Sequence, residues 1–457
     1  METSGIRRLA SEKTLFFLTA AIMFLMPVSE LFTELLFNYF PKIIPSVLQP
    51  LILGVYGILG TIIVIICKGC ELTDKQATDK WYLSDLIYLI LCFFMAVSAV
   101  FSTNPGVYSR NVYYTGETPL HFLAYFFLFF SGSRIKSADC RRKLISFFLV
   151  IAVLQGAVAF LQTFDIEIAY CLLTRHSGAA YGLTQNSNYF AALALLLLAC
   201  VTGAYLFSEK ISDNQVLRYV LPVLAGFVFY IVMGTRGRLI WFGFVPMMLF
   251  FAVSGIVMLK GEISRASLKR YFIRFAVLSA VFIAVFAVTH LFTDYVAEAV
   301  KRTQMEIEGK LDNGIGSNRL MIWEYGIRSI PRHWITGIGL DNYCQVFFED
   351  PGFTEGSFWI DKAHNEYLHV LVTQGVFAFL AYAVLFVRTA VISVKKIFKG
   401  KDETDQALTW IFLGMFITYA AQAFFNTSVI NVAMYFWLVL GLLNTSAPLK
   451  PSLNKNI

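Results

Sequence analysis

The chain has 457 residues, of which 57% are hydrophobic and only 15% are charged. Ordinary soluble domains carry about 25% charged residues, so this composition excludes a soluble globular enzyme and indicates a protein that is solvated mainly by lipid. The formal net charge of +7 does not indicate nucleic-acid binding, because the Lys and Arg residues are scattered between apolar runs rather than gathered with aromatic residues in one block.

Twelve apolar stretches predict membrane-spanning helices of about 20 residues each. In chain order they are 14–32, 47–67, 83–101, 119–133, 144–164, 189–207, 216–233, 239–259, 275–292, 367–394, 408–425 and 429–443. The predicted fold class is therefore an all-α integral membrane protein with about 12 transmembrane helices. The basic N-terminus resembles a secretory signal, but no small-residue cleavage site follows the first apolar stretch, and we expect that helix to be retained.

The distribution of basic residues predicts the orientation in the membrane. With the N-terminus inside, the inward segments hold 24 of the 37 Lys and Arg residues, whereas the short outer loops hold five. Those five are Lys42, Arg110, Arg175, Arg236 and Arg238. Since cytoplasmic loops carry an excess of Lys and Arg, we expect a multi-pass protein of the plasma membrane with both termini in the cytoplasm.

Three regions follow from this plan. Residues 1–292 hold nine predicted transmembrane helices with short loops, residues 293–363 form one long extracytoplasmic loop, and residues 364–457 hold three further helices and a cytoplasmic C-terminus. The long loop has helical patterning and lacks the Gly and Ser richness of a flexible linker, so we expect it to be folded.

One helix within the long loop has its own start and stop signals. Ser317 is a candidate N-cap, and Pro331 should end the helix after Ile330. Trp323, Ile327 and Ile330 should lie on one face of this helix.

Two arginines in the turn Gly234-Thr-Arg-Gly-Arg238 are candidates for anion binding. They lie on the side of the membrane where positive charge is normally avoided, and the glycines around Arg236 allow a ligand to approach closely. A guanidinium grips two phosphate oxygens at once, so a diphosphate is the natural ligand. For Arg238, contact with lipid headgroups is an equally good explanation. Arg319, at the start of the loop helix, could add a second grip, or could be an ordinary surface arginine.

His364 lies where the long loop re-enters the membrane and is a candidate general base. An ordinary histidine has a pKa near 6.5 and can accept a proton from a hydroxyl at neutral pH, although a capping or interfacial role is also open. Asp361 and Glu366 flank His364 without a role that the sequence can assign, and His369 is expected to be structural. No zinc-spaced cluster occurs, so no metal is indicated.

The seven cysteines do not predict a disulfide framework. Cys67 and Cys70 form a C-x-x-C that we attribute to chance. Cys171 and Cys344 both lie on the predicted outer side, and the sequence leaves open whether they pair.

Four segments together resemble the superfamily of O-antigen ligases and Wzy-type O-antigen, capsule and exopolysaccharide polymerases. They are Tyr181-Gly-Leu-Thr-Gln-Asn-Ser-Asn188, Gly234-Thr-Arg-Gly237, Asn318-Arg-Leu320 with Gly337-Ile-Gly-Leu-Asp-Asn342, and Ala363-His-Asn-Glu-Tyr-Leu368 with Gly375. Two departures stand out: the position of Thr235 is more often Ser in that superfamily, and the first segment lacks the common Asn-Pro-Asn.

The resemblance implies a GT-C-like membrane glycosyltransferase of surface-polysaccharide biosynthesis. Its donor would be an undecaprenyl-diphosphate-linked glycan on the outer face of the membrane, its acceptor a glycan or lipid, and its reaction independent of metal and nucleotide cofactors. Beyond membrane lipids, it implies no other partner and no nucleic acid. Polymerase and ligase share these motifs, so the acceptor stays open.

The resemblance also implies roles for single residues. Arg236 and Arg319 would bind the lipid diphosphate and stabilise its developing charge, and His364 would activate the acceptor hydroxyl. Substrate contacts are expected from Arg238, Asn188 and Asn365. The alternative is a flippase of lipid-linked glycans or another polytopic transporter, but transporters concentrate ionisable residues near mid-membrane, whereas here Arg and His collect at the outer boundary.

Overall fold

The computed structural model describes residues 11–39, 48–73, 82–103, 116–166, 179–184, 186–259, 265–308, 318–350, 360–400 and 402–445. Within these ranges the chain forms helices and no strand. The helices are α1 (Glu12–Tyr39), α2 (Leu48–Thr73), α3 (Leu83–Val100), α4 (Pro119–Arg134), α5 (Ala138–Gln162), α6 (Ser187–Leu206), α7 (Ser208–Ile211), α8 (Gln215–Gly234), α9 (Trp241–Leu259), α10 (Arg265–Phe292), α11 (Tyr295–Ile307), α12 (Arg319–His333), α13 (Gln345–Phe348), α14 (Glu366–Lys399), α15 (Glu403–Gln422) and α16 (Ile430–Leu443).

The described helices confirm an all-helical polytopic membrane protein. Nine of them are long and apolar enough to cross a bilayer, namely α1, α2, α3, α5, α6, α8, α9, α10 and α14. The other three predicted stretches form α4, α15 and α16, of which α4 and α16 have only 16 and 14 residues. A straight span needs about 20 residues, so the total of twelve spans stays a prediction.

Large apolar side chains cover the outside of the bundle. On α10, for example, Ile283 is 68% exposed and Leu291 is 76% exposed. A soluble protein rarely presents such a continuous apolar surface, and lipid is the solvent that it suits.

The centre of the bundle is α6, whose 18-residue apolar window is buried along its whole length. It packs against α5, α8 and α15, and its Ala and Gly positions allow these neighbours to come close. At Gly203, an added Cβ would lie 3.1 Å from the side chain of Ile411 on α15. The short α16 is also buried on all sides and packs mainly against α4.

The two ends of the bundle carry different polar groups. At one end, which we call the anchor end, ion pairs join neighbouring helices. Buried Arg134 of α4 binds both oxygens of buried Asp85 on α3 at 2.8 and 2.6 Å, and buried Arg141 of α5 pairs with the partly exposed Asp405 of α15. At the other end, which we call the site end, lie Glu117, Asn188 and His364, just before α4, within the first turn of α6 and just before α14. All candidate residues from the sequence lie at the site end.

The long connection after α10 is folded over its described part. It contains α11, α12 and α13, and a small core of its own includes Ile322, Tyr343 and Phe347. The predicted loop helix exists as α12, but it begins at Arg319, and Pro331 lies inside its last turn. Ser317 lies outside the described residues.

The predicted apolar face of α12 is buried only in part. Trp323 and Ile330 pack against the small core, whereas Ile327 is 57% exposed. The positions that face inward are Ile322, Gly326 and Ser329. Gly326 lies under the Tyr343 ring, where an added Cβ would come within 2.3 Å of the Tyr343 hydroxyl.

Helix α14 is broken at Gly375, and the stretch between α12 and α13 (residues 334–344), which we call the docked connection, packs into the break. Gly375 has φ 82° and ψ 174°, so Val376 N–H donates to Trp334 O at 2.8 Å instead of completing the helix. The carbonyls of Val372 and Thr373 accept from Ile338 and Gly339 at 2.9 and 3.1 Å. This exchange satisfies the backbone groups that the break frees, which is the condition for non-helical backbone at membrane depth.

We predict that Gly375→Ala lowers the melting temperature of the purified protein. The φ and ψ of Gly375 fall in a region that is essentially restricted to glycine, at a cost of about 1–3 kcal/mol for other residues, and an added Cβ would lie 2.2 Å from Ile335 O. Thermal unfolding in detergent measures the effect. The matched control is Gly54→Ala on α2, where the nearest atoms to an added Cβ are 4.0 Å away; equal melting temperatures for the two variants would contradict the prediction.

Candidate active site

The turn after α8 (residues 234–238), which we call the arginine turn, presents two arginines to α11. Arg236 has φ 54°, its guanidinium lies 4.5 Å from the centre of the Tyr295 ring, and its Nη1 is 3.9 Å from Glu298 Oε2. Arg238 donates from Nη1 to the Thr303 hydroxyl at 3.1 Å. Both side chains therefore point along α11, at the level where the long connection begins.

A cavity of about 550 Å³ lies between this turn and α11. Two arginines and one acid, Glu308, contribute to its walls together with the apolar side chains of Trp241, Val300 and Ile307, so the arginines outnumber the acid. Such a mixture of apolar walls and a few convergent charges is typical of small-molecule sites. It suits an amphiphilic anion, with hydrocarbon against the apolar walls and phosphate against the guanidinium groups.

Asn188 lies beside the same turn. Its backbone carbonyl accepts from Asn426 Nδ2 at 2.8 Å, and its side-chain oxygen would be 3.7 Å from a Cβ added at Gly237. The N-cap of α6 is the neighbouring Asn186, whose side chain accepts from Asn188 N at 2.8 Å. Because Asn186 makes the cap, the side chain of Asn188 faces the arginine turn instead.

Two glutamines of α5 hold the segment before α6. Gln162 accepts from Tyr181 N and Gly182 N at 2.9 and 2.7 Å, and Gln155 accepts from Leu183 N at 2.9 Å. Ala180 N in turn donates to Gly234 O at 2.8 Å, so this segment fixes the start of the arginine turn.

Arg319 is the first residue of α12 and follows Asn318, which has φ 63°. The helix is fastened to the His364 segment, because Trp323 Nε1 donates to Ala363 O at 2.9 Å. Trp323 also lies 6.1 Å from Phe425, whose ring is 3.9 Å from that of Phe242 near the start of α9. These ring contacts bring α12 to the part of the bundle that carries the arginine turn.

His364 is half-buried, with φ 48°. Burial and the nearby positive charge of Arg319 lower the pKa of its imidazole to about 4. The ring is therefore neutral at pH 7 and can accept a proton. The following Asn365 caps α14, since its side-chain oxygen accepts from Leu368 N at 3.0 Å. The structure thus gives Asn365 a structural bond beside the predicted substrate contact.

A buried charge cluster lies beneath His364. The Lys362 ammonium pairs with Asp341 and lies 3.8 Å from Glu117 Oε2, and all three side chains are nearly inaccessible to solvent. Asp341 Oδ2 accepts from Glu117 N at 2.9 Å, and His369 Nε2 lies 3.6 Å from Asp341 Oδ1.

The three charged groups of this cluster have distinct ionisation behaviour. Burial alone would lower the pKa of Lys362, but the carboxylates of Asp341 and Glu117 outweigh burial and raise it above the ordinary value. Burial would raise the pKa of Asp341, but Lys362 and His369 hold it below its usual range. Burial does raise the pKa of Glu117, against the opposing charge of Lys362. The Lys362 ammonium is therefore paired more closely with Asp341 than with Glu117.

Glu366, next to this cluster, is held by two tyrosines. Its carboxylate accepts from Tyr382 OH at 2.5 Å and from Tyr419 OH at 2.8 Å, and its backbone N–H donates to Ala423 O at 2.9 Å. The sequence could assign no role to Glu366, and the structure makes it a buried anchor for the start of α14.

Backbone strain marks the site. Five described residues other than glycine have positive φ, and four of them are Arg236, Asn318, Asp341 and His364. Asn, Asp and His adopt this conformation more readily than most residues, but Arg does not. Strained backbone of this kind clusters at functional sites, and two of the four residues are arginine and histidine candidates from the sequence.

Several functional neighbours were not singled out from the sequence. Lys362 and Glu117 stand outside any motif, and Asp341 was quoted only as part of a longer segment. The loop between α15 and α16 was also missed, although Phe425, Asn426 and Ser428 contact the other segments of the site end. Within the described ranges, no group of three or more His, Cys, Asp or Glu side chains could hold a metal ion. Cys171 lies outside them, so its pairing with Cys344 stays open.

Residues 221–383 match the family model described as O-Antigen ligase. This stretch is an O-antigen ligase domain. The match confirms the resemblance drawn from the four short segments. The O-antigen ligase domain contains the arginine turn, α12, the docked connection and His364, whereas Asn188 and Glu117 lie before it. No curated protein matches the chain significantly.

The O-antigen ligase domain and the apolar helices together identify a membrane enzyme of surface-polysaccharide biosynthesis. Lipid-linked glycans are the substrates that this family implies. The strained residues of the site lie inside the O-antigen ligase domain, which connects the family match to the local geometry.

We predict that Arg319→Gln raises the pKa of His364 towards the ordinary value near 6.5. Burial would still lower that pKa, but the positive charge of Arg319 would be gone. Diethyl pyrocarbonate modifies neutral imidazole, so the pH at which His364 is half-reactive, followed by mass spectrometry, reports the change. Arg319→Lys, which keeps the charge, is the matched control, and a midpoint in Arg319→Gln equal to that of the unaltered protein would contradict the prediction.

Proposed function

We propose that this protein is a membrane glycosyltransferase that transfers or polymerises undecaprenyl-diphosphate-linked oligosaccharide on the outer face of the membrane. The observation that carries the proposal is the combination of a neutral histidine and a cationic cavity with apolar walls at one end of an O-antigen ligase domain. A lipid diphosphate has the two chemical parts that such a cavity suits.

In the proposed reaction an acceptor hydroxyl attacks the anomeric carbon of the donor glycan. His364 takes the hydroxyl proton, the new glycosidic bond forms, and the bond between the anomeric carbon and the diphosphate oxygen breaks. The lipid diphosphate leaves with the electron pair. Because His364 is neutral above its lowered pKa, it is in the accepting form at physiological pH.

Arg236 and Arg319 stabilise the leaving group in this proposal. Negative charge grows on the diphosphate as the bond breaks, so guanidinium groups aimed at it bind the transition state more tightly than the ground state. Arg238 lies in the same turn as Arg236 and Asn188 lies beside it, and both would bind the donor, while Asn365 would contact the acceptor. The arginines supply the positive charge that the leaving group needs, and cleavage of the sugar–diphosphate bond supplies the energy, so we propose transfer without metal or nucleotide.

The bias of Lys and Arg towards the inward segments supports an outer position for the site end. We therefore propose that residues 293–363 are extracytoplasmic and that both termini are cytoplasmic. Polymerase and ligase would use the same groups and differ in the acceptor. A polymerase would receive a second lipid-linked glycan, whereas a ligase would receive a different lipid or glycan.

We expect proteoliposomes loaded with undecaprenyl diphosphate oligosaccharide to release free lipid diphosphate, and His364→Ala to lower the rate at least about 100-fold, as loss of a general base does. The control is His290→Ala, which removes an exposed histidine of α10. A ladder of repeats would identify a polymerase, and a requirement for an added acceptor would identify a ligase. Well-folded protein that releases nothing with varied donors would contradict glycosyl transfer, and movement of the donor across the bilayer would then indicate a flippase.

We expect Arg236→Lys to lower kcat/KM for the donor by about 10- to 100-fold, the equivalent of one charge-assisted hydrogen bond. Lysine keeps the charge but loses the planar two-point grip. Arg238→Lys is the matched control in the same turn and should have a smaller effect. Equal losses in the two variants would contradict the greater importance of Arg236.

A further inference from the structure

Lys362 is a buried cation two residues from the proposed base. Its side chain is only 1% exposed, and it belongs to the described segment 360–365, which leads into α14. A buried ammonium is costly unless it is paired, so its neighbours show what the charge is used for.

The Lys362 ammonium joins three segments that are far apart in the chain. Asp341 comes from the stretch between α12 and α13, and Glu117 comes from the residues before α4. Glu117 is itself fixed, because Tyr125 and Ser428 both donate to its Oε1 at 2.8 Å. The ammonium is therefore the point at which the docked connection, α4 and the His364 segment are held together.

The residues on both sides of His364 are fixed as well. Ala363 is fully buried and its carbonyl accepts from Trp323, Asn365 caps α14, and Glu366 is held by two tyrosines. His364 adopts its positive φ within this frame. Such a conformation persists only where the surroundings determine it, and Lys362 is the N-terminal support of the frame.

We propose that Lys362 is a positioning residue for His364: its pairing with Asp341 and Glu117 holds the backbone before His364 so that the imidazole faces the acceptor hydroxyl. The inference rests on the proposed glycosyl transfer. Lys362 does not touch the substrate in this proposal and acts only through His364.

The charges that face His364 come from several elements. Arg319 lies on α12, Asp361 and Lys362 lie in the same segment, and His369 lies on α14. Burial and Arg319 lower the pKa of His364 most, Asp361 raises it, and the positive charge of Lys362 makes a smaller contribution that lowers it. Loss of the Lys362 charge should therefore change the reactivity of His364 as well as its position.

The test uses full-length protein and the lipid-diphosphate release assay. Lys362→Met alone would leave two buried carboxyl groups without a cation, so the informative variant is Lys362→Met/Asp341→Asn, in which the closest pair is neutral. Lys362→Arg tests rescue of the charge. Lys301→Met, which removes an exposed lysine of α11, is the matched control for loss of a positive charge in the same connection.

We expect the double variant to lose about 10- to 100-fold in kcat, the effect of a misplacement of about 1 Å, with little change in KM for the donor. The pH at which His364 is half-modified by diethyl pyrocarbonate should rise in the same variant. Lys362→Arg should recover part of the kcat and keep the lower midpoint, and Lys301→Met should match the unaltered protein.

A folded double variant with unaltered kcat and an unaltered modification midpoint would overturn the positioning role. If the double variant does not fold, a Lys362→Arg protein that folds but recovers no kcat would overturn it too. Failure of the proposed function is distinguishable, because the unaltered protein would then release no lipid diphosphate at all, whereas the modification midpoint of His364 would still report whether Lys362 acts on it.

Discussion

The break in α14 at Gly375 is the constraint on which the site depends. Backbone groups inside a membrane protein must be paired, and here the freed carbonyls of Val372 and Thr373 are paired by the connection between α12 and α13. Ser98 on α3 adds a hydrogen bond to Thr373 O at 2.6 Å. The main-chain hydrogen bonds therefore fix the connection against α14, and the Ser98 hydroxyl ties the same part of α14 to α3. Asp341 follows the docked residues directly, so the break also determines where the partner of Lys362 lies.

Charges at the two ends of the bundle serve different purposes. At the anchor end, Arg134 and Asp85 form a two-point pair in which both side chains are nearly inaccessible to solvent. At the site end, Lys362 is shared between two carboxyl groups and Glu117 keeps a raised pKa, while Arg236 faces an aromatic ring and a carboxylate 3.9 Å away. Charged groups that are not closely matched in pairs cost stability. Because these groups lie beside strained backbone, we infer that the site end keeps them for function.

Much of the fold could be predicted from the sequence because apolar runs of about 20 residues form transmembrane helices in lipid. The helix positions, the folded nature of the long connection and the candidate residues Arg236, Arg319 and His364 were all predicted, and each candidate lies at the site end. The partners of these residues could not be predicted. Lys362 meets Glu117 only because α4 and the docked connection converge, and no local pattern encodes a contact across 245 positions. The face of α12 was misjudged for a similar reason, since Gly326 faces inward to admit the Tyr343 ring, which a hydrophobicity pattern does not register.

The two sides of the proposed site differ in rigidity, and the difference suits the reaction. On the side of the proposed base, Lys362, Ala363, Asn365 and Glu366 are all held by ion pairs or hydrogen bonds, so the backbone on both sides of His364 is fixed. On the side of the proposed donor, Arg236 is about one-third exposed, and the contacts that it makes with described residues are weak ones, to the Tyr295 ring and to the distant carboxylate of Glu298. A diphosphate can replace these weak contacts with charge-assisted hydrogen bonds, so the grip can adjust to a long lipid substrate. Proton transfer depends on alignment within a few tenths of an ångström, so it favours a base whose position is fixed. Ionic attraction falls slowly with distance, so the arginines can bind the diphosphate even when their positions adjust.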